Sequence, residues 1–571
     1  MQKKMMYALV AVIVVVVIVG AALAIILTAP PRRLSVELWY NNDGHYGDTE
    51  DELAAVLQQS IQECGKIAVT LRSDPWAIYR ENWVNQLMPV FLLGWYPDYF
   101  DSDDYISPFL SVAGARSLGS FYNDSQVDQW VVEEQTTTDP ATRAARFASI
   151  QQKLAEDVPY IPLFSGNAHV AYVNTTANVV LHPVTFKWFI MEDPTDAEIS
   201  ASTTDNIVSL DPASAYDYFS IEIINQVFDT LLVYEPVDAA LMPGLATEVP
   251  TLANGLVSAD GKNYTYNLRP GVRFHDGTTL LTAQVVADSI NRAIRLDIGG
   301  SAAFLLYDVG KLGRDPSNNN NTPPGTIELY PADPLKITFH LSQPVSFFND
   351  LMAFSVSAPV PPSYNQNGEQ PSTAGSVIGT GPYELTTHTE NQLIVLENST
   401  TVPYHSRGIY ASFGIPSIPV EDTVTINLRT SATALKQDIE AHATTGIDVV
   451  YRTLNPTDIT DLDGREAALG ITVDIGASPQ IRYIVINVNL VPDVRVRRAL
   501  AYSVDRADVD SIVFNNLVEP LYSMLPPNMP FSDAVFQTEY GSTPDCPAAN
   551  ALLAQLGYAV SVHRELIARD R

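Results

Sequence analysis

Tyr7 to Ala29 reads YALVAVIVVVVIVGAALAIILTA, an unbroken apolar run without a charge. About 20 such residues cross the hydrocarbon core of a bilayer, so the run predicts a transmembrane helix. Lys3 and Lys4 precede it, which by the positive-inside rule leaves the N-terminus in the cytoplasm and the bulk of the chain outside. A cleaved signal peptide has a shorter apolar core of roughly 7–15 residues. The pattern therefore favours an uncleaved anchor over residues 7–29, without deciding on cleavage.

Beyond Leu34 short strands alternate with amphipathic helices. Ser35–Tyr40 (SVELWY) and Ile67–Leu71 read as strands, and Asp51–Glu63 as a helix stopped by Gly65. Asp139–Glu156 predicts a helix with Asp139 as N-cap and Pro140 at its first position. Val158–Phe164 reads as a short buried strand. Met191–Asn206 is polar and poorly periodic, a connector by its pattern. Leu281–Arg292 starts a helix capped by Thr282, and Asp315–Thr326 (DPSNNNNTPPGT) is a surface loop by composition. Val424–Leu428 is a strand; helices follow at Ala432–Thr444, Asp493–Asp505 and Ala548–Leu556. Interleaved strands and helices place the chain in the α/β class.

Length and charge narrow the picture. A chain of 571 residues holds two or more domains. A net charge of −32 argues against nucleic-acid binding, which needs a positive surface. The two cysteines, Cys64 and Cys546, form no C-x-x-C pair, so a cysteine zinc site is excluded. They are free to form one disulfide in an oxidising compartment, which spacing does not decide. Sequons at Asn123, Asn174, Asn263, Asn320 and Asn398 agree with export.

Candidate chemistry concentrates in GWYPDYFDSDDYISPF, Gly94 to Phe109. It gathers aromatic rings and carboxylates directly after the apolar run Met88–Leu93. Asp101, Asp103 and Asp104 offer hard-cation oxygens, yet the spacing lacks the glycine and order of a calcium loop, so no metal is expected. His275–Asp276 sits in a tight turn ending at Gly277 and reads as structural. No G-x-S-x-G, H-E-x-x-H or P-loop pattern occurs. Neither an enzyme nor a cofactor is expected.

Six segments together resemble one family: the extracellular solute-binding proteins of ABC importers, oligopeptide- and dipeptide-binding type (family 5). They are Ser209–Pro236, Tyr264–Ala293, Ile378–Leu385 (IGTGPYEL), Val485–Arg506, Gly94–Phe109 and Arg143–Phe164. Their order departs from the family, in which the GW-x-x-D-Y segment comes near the C-terminus. The helix ANALLAQLGY (Ala549–Tyr558) is what should precede Ser35. The chain thus resembles a circular permutation rejoined through Met191–Asn206. A fusion of two neighbouring gene fragments is the competing explanation, because Ala559–Arg571 resembles nothing in the family.

The resemblance implies a two-lobed periplasmic-binding-protein-like fold of the large type II, peptide-binding class, after an N-terminal transmembrane helix. The expected division is an anchor at 1–33, part of lobe two at 34–168, a crossover and connector at 169–200, lobe one at 201–420 and the rest of lobe two at 421–571. It implies capture of peptides by lobe closure and delivery to the permease and ATPase of an ABC importer, at the outer face of the cell membrane. In the family the Asp of GW-x-x-D pairs with the peptide α-amino group, and Asp98 matches it. Trp95, Tyr96 and Tyr99 would wall the ligand, and Tyr218, Phe219 and Ser220 lie where lobe one approaches it. Arg482 is a weaker candidate for a peptide carboxylate. Arg495, Arg497 and Arg498 are read as helix surface and packing. All six tryptophans lie between Trp39 and Trp188, so an oligosaccharide is the second ligand class. A surface receptor or sensor without transport is the third reading.

Overall fold

The computed structural model describes residues 32–559, apart from 44, 45, 47, 48, 196, 238, 314–324, 400 and 401. The expected anchor at 7–29, most of the loop at 315–326 and the C-terminal tail lie outside the described residues. Among the described residues no helix is long and apolar enough to cross a membrane.

In chain order the elements that matter here are β1 (Leu34–Asn41), α1 (Glu50–Glu63), β2 (Ile67–Asp74), β3 (Val90–Trp95), α2 (Pro140–Asp157), β4 (Tyr160–Val173), β5 (Glu198–Thr203) and α3 (Tyr218–Val227). Next come β6 (Asn263–Asn267), α4 (Ala283–Leu296), β7 (Thr326–Tyr330), β8 (Asp333–His340), β9 (Tyr383–Thr389), β10 (Leu393–Asn398) and β11 (Thr423–Leu428). The last are β12 (Val449–Tyr451), β13 (Ile471–Ile486), α5 (Val494–Ala501) and α6 (Cys546–Ala554). The predicted caps form. The Asp139 carboxylate accepts from the Thr142 N–H at 3.0 Å, and the Thr282 hydroxyl accepts from Val285 N–H at 3.3 Å.

An 11-stranded sheet runs β9-β10-β11-β5-β12-β4-β13-β3-β1-β2, with the short strand Glu519–Pro520 added on β4. A separate three-stranded sheet has the order β6-β8-β7. Around them the chain folds as two lobes. One lobe holds a core built by β1 to β3, α1, α2, α5 and α6, with Leu53, Phe91, Phe147, Tyr483 and Leu553 inside it. The other holds a core over residues 213–356 (Tyr266, Phe274, Phe339), a second that joins Phe186–Phe228 to Ala358–Tyr451, and a small one under β12.

The chain passes between the lobes twice, along β4 and β13, which pair antiparallel over nearly their whole length. Tyr160–Phe164 and Ile481–Ile486 are buried in the first lobe; Val170 and Ile471 are buried in the second. The register breaks between Ala477 and Ile481, opposite Gly166. There the Ser165 hydroxyl donates to Ser478 O at 2.7 Å, bridging the irregularity.

The structure corrects three expectations. The short strand expected at Val158–Phe164 continues to Val173, because Asn167–His169 stay in the ladder while lying half-buried between the cores. The connector expected at Met191–Asn206 contains β5, a central strand whose Ile199 and Ala201 are fully buried and whose other positions are small and polar. The change of lobe expected at 420 falls inside a core: Val424, Ile426 and Tyr451 pack with Phe186, Ile223 and Tyr383.

Cys64 and Cys546 are joined in a disulfide, with Cα atoms 4.8 Å apart although the residues are 482 positions apart in sequence. Beside it Lys66 Nζ donates to Asn550 O at 2.7 Å, and the Asn550 amide donates to Cys64 O at 2.7 Å. Asp211, from the SLDP stretch, accepts both Arg292 guanidinium nitrogens at 2.8 and 2.6 Å with both side chains buried. Arg292 also donates to Asn365 O and Gly368 O, so this pair ties α4 to the loop at 365–370. Asp211→Ala would strand a buried guanidinium. It is expected to cost ~3–5 kcal/mol, read as a lower denaturant midpoint with an unchanged slope.

Candidate functional site

The Gly94–Phe109 stretch begins where β3 leaves the sheet at Trp95. Its carboxylates are used internally. Asp101 accepts the Asp103 N–H at 2.8 Å and binds the Arg143 guanidinium of α2 at 2.9 and 2.5 Å. Asp103 accepts from Tyr99 Oη at 2.5 Å, Ser107 Oγ at 3.0 Å and Gln135 Nε2 at 2.9 Å. Asp104 accepts from Trp95 Nε1 at 3.1 Å and from the Asp98 N–H at 2.8 Å. These bonds hold the loop in one shape. Among the described residues no group of three or more His, Cys, Asp or Glu is placed to hold a metal ion.

Asp98 is the carboxylate this scaffold presents outward. It lines a chamber of about 190 Å³ between the lobes, together with Trp95, Tyr96, Tyr216, Tyr218 and Phe354. Its Oδ2 accepts from Tyr216 Oη of the other lobe at 2.8 Å. Burial pushes the Asp98 carboxyl up to about 7, against the lowering effect of the Tyr216 hydrogen bond. Asp104 behind it is raised well above the carboxylate range, by burial first and then by the charge of Asp98. A cationic group placed at Asp98 would reverse the effect of burial there.

Tyr96 and Tyr218 face each other across the lobes, ring centroids 4.5 Å apart and edge to face. Both also line a second, larger chamber of about 590 Å³, so this pair divides the interlobe space. The Arg452 guanidinium lies 4.1 Å above the Tyr218 ring and binds Asp205 at 3.3 Å. Arg452 and Thr453 both have positive φ, 61° and 62°. Backbone strain of this kind is kept only where the surroundings enforce it, and here it aims Arg452 into the cleft. Glu222 accepts from Trp188 Nε1 at 2.9 Å, and burial lifts its carboxyl to about 8.

Of the candidates read from the sequence, Trp95, Tyr96, Asp98 and Tyr218 come together in one chamber. Three do not. Tyr99 is buried and stacks on Phe347, centroids 4.9 Å apart. Phe219 is buried in the core of Phe186 and Ile223. The Ser220 hydroxyl is fully buried and accepts from Val208 N–H at 2.9 Å and Ser209 N–H at 3.3 Å. On α3 Tyr218, Ile221 and Asn225 line the cleft at helical spacing, while Phe219 and Ser220 turn into the core.

Arg482 is claimed by Glu50, at 2.7 and 2.8 Å, and lies 3.8 Å over the Tyr46 ring. His275 is part of a turn: it accepts from Gly379 N–H at 3.2 Å while Asp276 accepts from Thr278 and Thr279 N–H. Arg495, Arg497 and Arg498 bind Asp493, the Asp157 carbonyl and Glu539. Of the six tryptophans, Trp95 lines the chamber, whereas Trp83 and Trp188 are buried in cores and Trp39, Trp76 and Trp130 pack against one. Tyr216, Val184, Thr185 and Phe354 were not singled out by sequence. Tyr216 stands two residues before Tyr218, and that spacing was its only signal.

The profile of the bacterial extracellular solute-binding proteins, family 5 Middle, matches residues 240–565. The glutathione-binding protein GsiB of Escherichia coli (strain K12) is 25% identical over 377 residues, covering 63% of this chain and 62% of that protein. The chain thus spans less than two thirds of that relative's length. Among solved structures, the murein tripeptide binding protein MppA of Escherichia coli is 19% identical, with a TM-score of 0.44 over 66% of this chain and 72% of that one. The Burkholderia pseudomallei OppA is 18% identical, with a TM-score of 0.45 over 63% and 67%.

Tyr216→Phe removes the bond that favours ionised Asp98. The Asp98 carboxyl is expected to titrate at higher pH still, followed by carboxyl carbon chemical shifts in NMR.

Proposed function

The chain belongs to the bacterial extracellular solute-binding proteins, family 5, and from that premise we propose that it captures short peptides between its lobes and hands them to an ABC importer. It is a binding protein of a transport family and not an enzyme. The observation that carries the peptide reading is Asp98: a half-buried carboxylate facing a chamber, held from behind by its own loop and from across the cleft by Tyr216. A buried charge is costly unless paired. A peptide α-ammonium supplies the missing pair, and Trp95, Tyr96 and Tyr218 supply apolar walls. Closed lobes bind such a ligand better than open ones, so ligand shifts the population toward closure about β4 and β13. The apolar run at 7–29 would tether the protein at the outer face of the membrane and raise its concentration near the permease. The oligosaccharide reading draws less support, because five of the six tryptophans are packed in or against the cores.

The circular permutation forms part of this proposal. The Ala559 N–H donates to Arg32 O at 3.0 Å, and the Arg32 guanidinium lies 4.9 Å over the Tyr558 ring. A peptide bond joining these ends would restore the family order. The profile match begins at residue 240 and leaves the GW loop outside it, as a displaced segment requires.

Calorimetry with peptides over pH 5–9 tests the site. The folded carboxyl of Asp98 sits above its unfolded value, so between about pH 4 and 7 the empty protein binds more protons than the unfolded chain, and its stability falls as pH rises. A peptide ammonium needs the ionised form. Affinity should therefore drop roughly tenfold per pH unit below about 7, with proton release on binding, and fall again above about 8 as the α-amino group deprotonates. Asp98→Asn should weaken binding and flatten the acid limb, and N-acetylated peptides should not bind. Binding of N-acetylated and free peptides with equal affinity would defeat the reading. Separately, a rearranged chain running 195–559 and then 32–194, cut in the turn before β5, is expected to fold and to bind the same peptides. Failure of that chain to form the 11-stranded sheet would defeat the permutation.

A further inference from the structure

A second, smaller chamber of about 50 Å³ adjoins the one at Asp98 and shares Val184, Thr185, Asn225, Tyr234 and Ala353 with it. Lys187 lines this annex and is only 8% exposed. No described carboxylate lies within ion-pair distance of its ammonium; its neighbour is the Phe189 ring, 5.8 Å away. The annex does contain a carboxylate, Asp229, but that group is already engaged. Its Oδ1 accepts from Tyr404 Oη at 2.8 Å, and its Oδ2 accepts from Thr380 Oγ1 at 3.0 Å and faces His405 Nε2 at 2.9 Å. Burial pushes the Lys187 ammonium down to about 8, and no charged neighbour offsets it.

A lysine buried without an anion is costly. Lys187 also stands two residues after Thr185, a wall residue of the Asp98 chamber. Resting on the peptide reading above, we propose that Lys187 receives a carboxylate of the same ligand whose ammonium lies at Asp98. The ligand class is then a short peptide charged at both ends. Asp98 and Lys187 sit in adjoining chambers, which together offer less room than the ~300–1,000 Å³ of ordinary drug-sized sites. Length would be selected by whether the two charges of the ligand reach both side chains.

The test uses the full chain and calorimetry at pH 7. A panel of di- and tripeptides is screened by thermal shift, and the best binder is prepared free, as its C-terminal amide and as its N-acetyl form. Amidation is expected to weaken binding to the wild type by roughly 10- to 100-fold. Lys187→Met should weaken the free peptide by a similar factor and leave the amide nearly unchanged. An amide that regains affinity when a Glu is added would assign the annex to a side-chain carboxylate, within the same proposal. Without ligand, Lys187→Met should melt at the wild-type temperature or above, since it removes an unpaired buried charge. A lower melting temperature, or a variant that does not fold, would mark a packing role and overturn the proposal. Free and amidated peptides binding the wild type equally, with only the acetyl form lost, would overturn it while leaving Asp98 in place. Acetylated peptide binding as well as free, or no panel member binding, would overturn both.

Discussion

The pairing of β4 with β13 is the constraint on which the rest depends. These two strands are the only covalent routes between the lobes among the described residues, and their mutual ladder fixes how the lobes face each other. The same strands carry side chains into the first core at one end and into the second lobe at the other. A rigid ladder would weld the lobes. The break between Ala477 and Ile481 removes a few rungs where Gly166 leaves the opposite strand without a side chain. The lobe closure proposed above would bend there, since intact ladders on either side are anchored in packed cores.

Contacts across the cleft come from single side chains rather than from a continuous core. Tyr96 meets Tyr218, Tyr216 meets Asp98, and Tyr99 stacks on Phe347. The first two join half-buried rings and hydroxyls and suit lobes that separate and return, whereas Tyr99 is seated in the core of the second lobe. The loop that supplies Tyr96, Asp98 and Tyr99 is kept stiff by its own Asp101, Asp103 and Asp104, so it moves with its lobe.

How much of this was legible in the sequence depended on whether local rules or tertiary contacts decide. Helix caps at Asp139 and Thr282 were readable because the cap and the first turn are neighbours in the chain. The Gly94–Phe109 loop was marked as a candidate site through its composition and its resemblance to a family, and it does reach the interlobe chamber. Strand β5 was not, because a strand covered on both faces by other elements tolerates Ser200 and Ser202 between its buried residues. The far half of β4 was hidden for the converse reason: Asn167 and His169 face a cleft and carry no apolar alternation. Within the site, the sequence marked Asp98 but assigned Phe219 and Ser220 to the cleft beside Tyr218. One helical turn points three consecutive residues in three directions, and only packing tells which direction is the cleft. Lys187 gave no local signal, since an unpaired lysine looks like a solvated one until its burial is known.

The Cys64–Cys546 bond encloses nearly the whole described chain in a single covalent loop. A protease that cuts the backbone once anywhere between these residues yields a nicked ring whose fragments stay attached. The bond lies close to where Arg32 meets Ala559, so the pieces would also remain in register. A first clip therefore leaves the folded chain held together at the disulfide.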